Sequence, residues 1–156
     1  MIRKYQKSDL DALMQIWLEG NLDAHDFIDP SYWHDNYELV KKELPNAQLY
    51  VDEEEGEIAG FVGMQGDYIA GIFVKRDYRC RGIGEKLIDF LKLRHDKLQL
   101  SVYEKNEAAI SFYQNRGFKL VKKEIDQETG VADCLMEWDA YKLCLGIYNK
   151  YFFTMD

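Results

Sequence analysis

Six consecutive residues, Arg79-Cys80-Arg81-Gly82-Ile83-Gly84, carry the clearest chemistry in the chain. They join an apolar run, 68–74, to an amphipathic run that begins near Ile83, a pattern that reads as strand, tight loop and helix. Two glycines separated by one residue let a ligand approach the main chain with no Cβ in the way. The first N–H groups of the helix that follows have no intrahelical acceptors, and such a helix start attracts phosphate. Charge points the same way. Between Lys75 and Lys86, five basic residues (Lys75, Arg76, Arg79, Arg81, Lys86) face two acids (Asp77, Glu85), a local +3 in a chain of net charge −8, so the remainder carries about −11. An acidic protein has placed its basic island on its glycine loop.

A second segment, 106–118, lies one strand further on and contains Asn106, Ala109, Phe112-Tyr113 and Gly117-Phe118. Together the two segments resemble the GNAT superfamily of N-acetyltransferases. That family's acetyl-CoA loop reads Gln or Arg, two residues, Gly, one residue, Gly or Ala, which Arg79, Gly82 and Gly84 match. Its later motif, Asn, two, Ala, two, Phe-Tyr, three, Gly-Phe, is filled at every place. The resemblance is firm over 58–118 and extends from the N-terminus to Trp138; Arg76 stands where many relatives carry proline.

The resemblance implies an α/β fold with a mixed, mostly antiparallel twisted sheet of about six to seven strands and helices on both faces. It also implies acetyl-CoA as co-substrate, no metal, and direct transfer of the acetyl group to a primary amine in a ternary complex. Main-chain groups at Phe73 and Val74 would pair with the pantetheine arm, and Arg79, Arg81, Gly82, Ile83, Gly84 and Glu85 would wrap the pyrophosphate. Asn106 would hold the arm from the other side, and Tyr113 would protonate the leaving sulfur. A phenol suits that task, because a pKa of about 10 keeps it a proton donor at neutral pH.

The proton acceptor is less defined. A lysine amine costs roughly 4 kcal/mol to deprotonate at neutral pH and an N-terminal amine well under about 1 kcal/mol, so only the former demands a base or a desolvating site. Asp67 and Tyr68 are candidates for the base or for positioning a water, with His25 and Tyr32 also in reach by order along the chain. His25, Phe27, Tyr32 and Trp33 fall in or beside the connection between the first two helices, which in the resembling proteins walls the acceptor site. They are candidates for an acceptor slot, and equally for closing the core beneath a loop. His25 and His34 with Asp26, Asp29 and Asp35 lack the spacing of H-E-x-x-H, so no metal site is indicated. The acceptor class stays open between an amine-bearing small molecule and a peptide or protein, with net charge leaning towards a cation.

Two rival readings compete. A non-catalytic acyl-CoA sensor would use the same loop, but an intact Tyr113 argues for turnover. A dinucleotide binder would need a third glycine at position 87, which is Leu87.

The elements that must position these residues follow from periodicity. A short strand at 2–5 precedes a helix capped by Ser8 or Asp9 that runs to about Glu19, where Gly20-Asn21 reads as its stop. A second helix spans 31–44, ended by Pro45. Strands at 48–52 and 58–65 flank the acidic turn Glu53-Glu54-Glu55-Gly56, and strands at 67–74, 98–103, 118–125 and 131–138 alternate with helices at 82–95 and 107–116. Residues 1–139 thus form one domain. The extension 140–156 spaces Tyr141, Leu145, Tyr148 and Phe152 as an amphipathic helix would, for packing or a subunit contact, and monomer and homodimer both remain open.

Composition sets outer limits. The length of 156 residues suits a single domain with its own core. Three cysteines with no Cys-x-x-Cys pair indicate neither a disulfide framework nor a zinc site, and with no basic-then-apolar leader and no membrane-length apolar run the expectation is a cytoplasmic protein. An acidic total argues against nucleic acid as partner.

Overall fold

The computed structural model describes residues 1–141. Strand β1 (Ile2–Lys4) leads to helices α1 (Leu10–Ala24) and α2 (Pro30–Glu43), and β2 (Gln48–Glu54), β3 (Glu57–Gln65) and β4 (Tyr68–Val74) follow as a meander. Helix α3 (Ile83–Lys92), strand β5 (Lys97–Tyr103), helix α4 (Glu107–Asn115) and the hairpin β6 (Lys119–Ile125) and β7 (Ala132–Asp139) complete the order. The seven strands form one sheet, β1-β2-β3-β4-β5-β7-β6, antiparallel throughout except between β4 and β5. That parallel pair is joined through α3, as a parallel connection requires. The mixed sheet with helices on both faces is the architecture expected from the sequence.

Strand alternation builds two cores. Val51 and Phe61 point to the face covered by α1 and α2, where they meet Leu13, Met14, Trp17 and Trp33. Val62, Met64, Leu98, Leu100 and Met136 point to the other face, against Leu87, Ile88 and Leu91 of α3. Helix α2 begins where Asp29 accepts the Ser31 N–H at 2.9 Å, with Pro30 in its first turn. Its end at Glu43, followed by a 3-10 turn carrying Pro45, is the stop the sequence announces.

Helix α1 differs from expectation. It continues through Gly20 and Asn21 to Ala24, because both residues serve packing rather than termination. A Cβ added at Gly20 would lie 3.1 Å from Phe73 Cδ1, so the missing side chain makes room for that ring. Asn21 is buried and its amide donates back to the Trp17 carbonyl at 2.9 Å, one turn earlier. The extra turn carries Asp23 and His25 to the open end of the sheet.

That open end is a defect in strand pairing. Gly63 faces Gly71 and Met64 faces Ile69, so Ala70 is an extra residue that bulges β4. Strands β4 and β5 are in register only at Tyr68↔Gln99 and Ile69↔Leu100, and they part where the bulge bends β4. Beyond it, 70–74 and 101–103 face each other across a gap. Among the described residues no helix is long and apolar enough to cross a membrane. The helix read from the aromatic spacing of the C-terminal extension lies, apart from Tyr141, outside the described residues.

Candidate active site

The gap between the parted strands widens into a cleft of about 840 Å³, within the range of small-molecule sites. Its walls are the C-terminal halves of β4 and β5, the last turn of α1, and the starts of α3 and α4. Gly71, Ile72, Phe73 and Val74 line one side, and Ser101, Val102 and Tyr103 the other. Main-chain N–H and C=O groups on the two facing edges have no strand partner across the gap, so a ligand with amide groups meets ready-made partners there. Phe73 and Val74 both line this side, Phe73 in register with Phe61 of β3.

At the mouth, the glycine loop turns into α3. Gly82 is the N-cap at φ +81°, in the left-handed region that glycine enters without strain, and nothing stands within 4 Å of where its Cβ would be. With no side chain to cap them, the first N–H groups of α3 face open space, which fits a phosphate. A Cβ on Gly84 would meet Phe112 Cζ at 3.2 Å, so this glycine lets α3 sit close against α4. Cys80 also lies in the left-handed region, at φ +62°, and its exposed thiol sits in the loop rather than over the strand edges.

The basic island is more neutral in space than in sequence. Asp23, at the end of α1, accepts from Arg76 at 2.9 and 3.0 Å and from Arg79 at 2.8 Å. The two guanidinium groups hold its carboxyl below the usual carboxylate range. Arg79 Nε also reaches the Val74 carbonyl at 3.3 Å, tying the loop to β4. Lys75 pairs with Glu57, and Lys86 with Asp52 and Glu54. Glu85 accepts from Arg116, whose guanidinium lies over Phe112. Arg81 lies over the Tyr78 ring and has no carboxylate partner among the described residues, so its charge is the one left for a phosphate.

Helix α4 supplies the inner wall. Asn106 is its N-cap, with Oδ1 accepting the Ala109 N–H at 3.2 Å. Tyr113 lies seven residues on, two turns along the same face, and lines the cleft with its ring edge-on to Phe112 and Phe118. Burial pushes its pKa up to about 12, and its hydroxyl has no protein partner among the described residues. It is a neutral donor at working pH with its proton uncommitted.

The other expected residues divide. His25 lines the cleft. Phe27 packs edge-on behind it, against His25 and Tyr103, and Tyr32 donates to Glu128 of the β6–β7 turn at 2.6 Å, so both support the wall without lining it. Asp67 and Tyr68 are not brought to the cleft. They sit at the paired end of β4, roughly 13 to 16 Å of strand from Ile72, where Asp67 meets His95 Nδ1 at 2.8 Å. Sequence reasoning missed Asp23, Tyr103 and Asp133. Tyr103 donates to Asp126 at 3.0 Å, and Asp133, its partner in register on β7, lines the cleft with its pKa raised by burial and by the neighbouring Asp126 and Glu124.

Fold, cleft and motif together define an acyl-CoA-type transferase, and comparison with known proteins agrees. The model of the acetyltransferase (GNAT) domain matches residues 45–120. The chain belongs to the GNAT family, and so to the acetyl-CoA-dependent N-acetyltransferases. It is 42% identical over 140 residues to the peptidyl-lysine N-acetyltransferase YiaC of Escherichia coli K12, covering 88% of this chain and 96% of the relative. It is 32% identical to the peptidyl-lysine N-acetyltransferase YjaB of Salmonella typhimurium LT2, covering 80% and 88%. The solution structure of apo YjaB from Escherichia coli superposes with a TM-score of 0.80 at 27% identity, over 88% of this chain and 96% of that one.

Proposed function

We propose that this protein acetylates the ε-amine of lysine side chains in peptides or proteins, taking the acetyl group from acetyl-CoA by direct attack in a ternary complex. The observation that carries the chemistry is that one cleft joins an open helix start, an unpaired strand edge and the uncommitted hydroxyl of Tyr113. The lysine acceptor is supported by the named activity of the YiaC and YjaB relatives. It is also supported by the acidic setting of the inner end of the cleft, where Asp133 lies beside Tyr103 and Asp126.

Each group has a task in this reading. The first N–H groups of α3 and the guanidinium of Arg81 bind phosphate. The free edge of β4 at Phe73 and Val74 pairs with the amides of the pantetheine arm and holds the thioester in line with the incoming amine. Tyr113 gives its proton to the departing sulfur, and its raised pKa ensures that the proton is there to give.

The test is transfer itself. Wild-type protein is incubated with acetyl-CoA and lysine peptides, N-terminal peptides, polyamines or aminoglycosides, and the products are read by mass spectrometry. Acetyl on lysine ε-nitrogen is expected. Turnover of small-molecule amines alone would replace the lysine reading, and acetyl-CoA binding without turnover of any amine would favour a sensor.

A further inference from the structure

A transferase that accepts an amine must dispose of a proton, and neither Asp67 nor Tyr68 is at the cleft to take it. His25 is. It follows the last residue of α1 as the C-cap, bonded through its own N–H to the Asn21 carbonyl at 3.0 Å, and its ring is fixed on three sides. Trp33 stacks on it at 5.4 Å between centroids, while Phe27 at 5.6 Å and Tyr103 at 5.0 Å meet it edge-on. The fourth side opens on the cleft and on Asn106, whose Nδ2 lies 3.4 Å from His25 Nε2.

The tautomer follows from that contact. Asn106 Oδ1 is committed to the Ala109 N–H, so its NH₂ group faces the imidazole. Were Nε2 protonated, two donors would oppose each other. The proton therefore sits on Nδ1, which is buried without a partner, and Nε2 keeps its lone pair, which meets the Asn106 NH₂ at the edge of the cleft.

We propose that His25 Nε2 is the catalytic base that receives the proton released by the acceptor amine. This rests on the acetyl-transfer reading above. The amine nitrogen attacks the thioester carbonyl carbon, forming C–N; as C–S breaks, the sulfur takes the Tyr113 proton. The nitrogen, whose lone pair is now in the new bond, sheds one proton to Nε2 as it displaces the long Asn106 N–H contact from that atom; Nε2 then passes the proton to solvent and takes the Asn106 contact back, while Tyr113 is reprotonated from solvent. Timing matters here, since imidazole is far too weak to strip a free lysine ammonium but is matched to a nitrogen already bonded to the acetyl carbon. Asn106, at the first turn of α4, and Tyr113, two turns on, stand about 10 Å apart along the axis, with the Tyr113 side chain leaning back towards the N-terminus. Base and acid thus bracket the space for the thioester.

The surroundings keep the ring neutral. Burial lowers its pKa below the ordinary histidine value, and no carboxylate contacts the ring to restore it. On its own element Asp23 is occupied by Arg76 and Arg79, and Asp26 is exposed. From β5, Tyr103 places its phenol towards Asp126, with Asp133 beyond on β7; from the start of α4, Lys105 lies over the far ring, Phe27.

The experiment has two arms. With acetyl-CoA saturating and a lysine peptide as acceptor, the wild-type plot of log kcat/KM against pH should rise with slope 2 below the His25 pKa, where ring and amine both need to lose a proton, and with slope 1 above it. His25→Gln, which keeps an acceptor for Asn106 but takes no proton, should lose about 10²–10³-fold in kcat/KM, keep slope 1 throughout, and bind acetyl-CoA within about two-fold of wild type. A His25→Gln profile parallel to wild type, at any rate, would overturn the proposal, because a structural loss lowers the curve without changing its slope. In the second arm, ¹⁵N NMR of the wild-type imidazole reads the tautomer with no acceptor present. Hydrogen on Nδ1 is expected, and hydrogen on Nε2 overturns the proposal whatever the turnover. If lysine peptides are not substrates but Nδ1 carries the proton, the lysine reading falls while the base stands for another amine.

Discussion

Asp23 at the end of α1 grips Arg79 at 2.8 Å across 56 residues of sequence, and with the same carboxylate it holds Arg76. The glycine loop is thereby fastened to the helix that ends at His25. Removing the carboxylate, Asp23→Ala, frees two guanidinium groups and loosens the loop. Freed charge attracts phosphate only where salt does not screen it. The variant should therefore bind acetyl-CoA at least as tightly as wild type at about 20 mM salt and more weakly at about 0.5 M, where the Debye length shrinks to a few ångströms. Calorimetry at both salts checks the crossover, and parallel salt curves would show that the clasp does not govern binding.

Tyr113→Phe keeps the ring contacts with Phe112 and Phe118 and removes only the hydroxyl. Turnover should fall by about 10²–10⁴-fold, equivalent to roughly 3 to 5 kcal/mol of barrier. Acetyl-CoA affinity should barely change. Near-normal turnover, with chemistry shown to be rate-limiting, would assign protonation of the sulfur to water.

At the loop, Gly82→Val places a branched side chain at φ +81° on the rim proposed to bind phosphate. Acetyl-CoA affinity should fall at least about ten-fold, beyond the strain of about 1 kcal/mol that a left-handed β-branched residue adds to folding. Gly82→Asn tolerates the same conformation and should suffer less. Equal affinities by calorimetry for all three proteins would detach the loop from cofactor binding.

Asp9 tests acid stability. It is 6% exposed, bonded twice to Arg3 at 2.9 and 3.0 Å and once to the Gln6 N–H at 2.7 Å, and the Arg3 guanidinium holds its pKa down. A depressed folded pKa contributes stability that is whole above the unfolded value, near about 3.9, and is lost as pH falls through the folded one. Wild type should lose melting temperature below about pH 4 more steeply than Asp9→Asn, while at pH 7 the variant should be the less stable by about 2 kcal/mol. Parallel melting curves across that range would show the pair to be neutral.

What could be read along the chain was what local spacing encodes. Gly82 and Gly84, Asn106 and Tyr113 act through their own helix starts and faces, so their intervals in sequence already express their geometry. Gly20 misled because a glycine that ends a helix and one that admits a ring look alike until Phe73, 53 residues on, is in place. The charge island misled in the same manner, since the carboxylates that quench it, Asp23, Asp52, Glu54 and Glu57, lie outside the stretch where the cations were counted. Asp67 and Tyr68 were placed on the right strand but at the wrong end, because alternation gives the face of a residue and not its distance from a bulge. The Asn106–His25 contact spans 81 residues and needed the whole sheet.

The two pairs that join β4 to β5 also bear on how the molecule comes apart. The β1–β4 half, with α1 and α2, and the β5–β7 half, with α4, share a seam of two registered pairs and the Gln99 N–H bond to the Asp67 carbonyl, while each half has a continuous ladder of its own. The core beneath α3 spans both halves, so the seam is held by packing rather than by backbone pairing, and the amides of 70–74 and 101–103 that face the gap should exchange hydrogen well before those laddered within β2, β3 or β7. On the proposed reading, a donor lying between the two edges would complete the missing ladder, and the molecule consumed would also stiffen the seam. Each turnover would then end with the sheet loosened at the place where the spent carrier must leave.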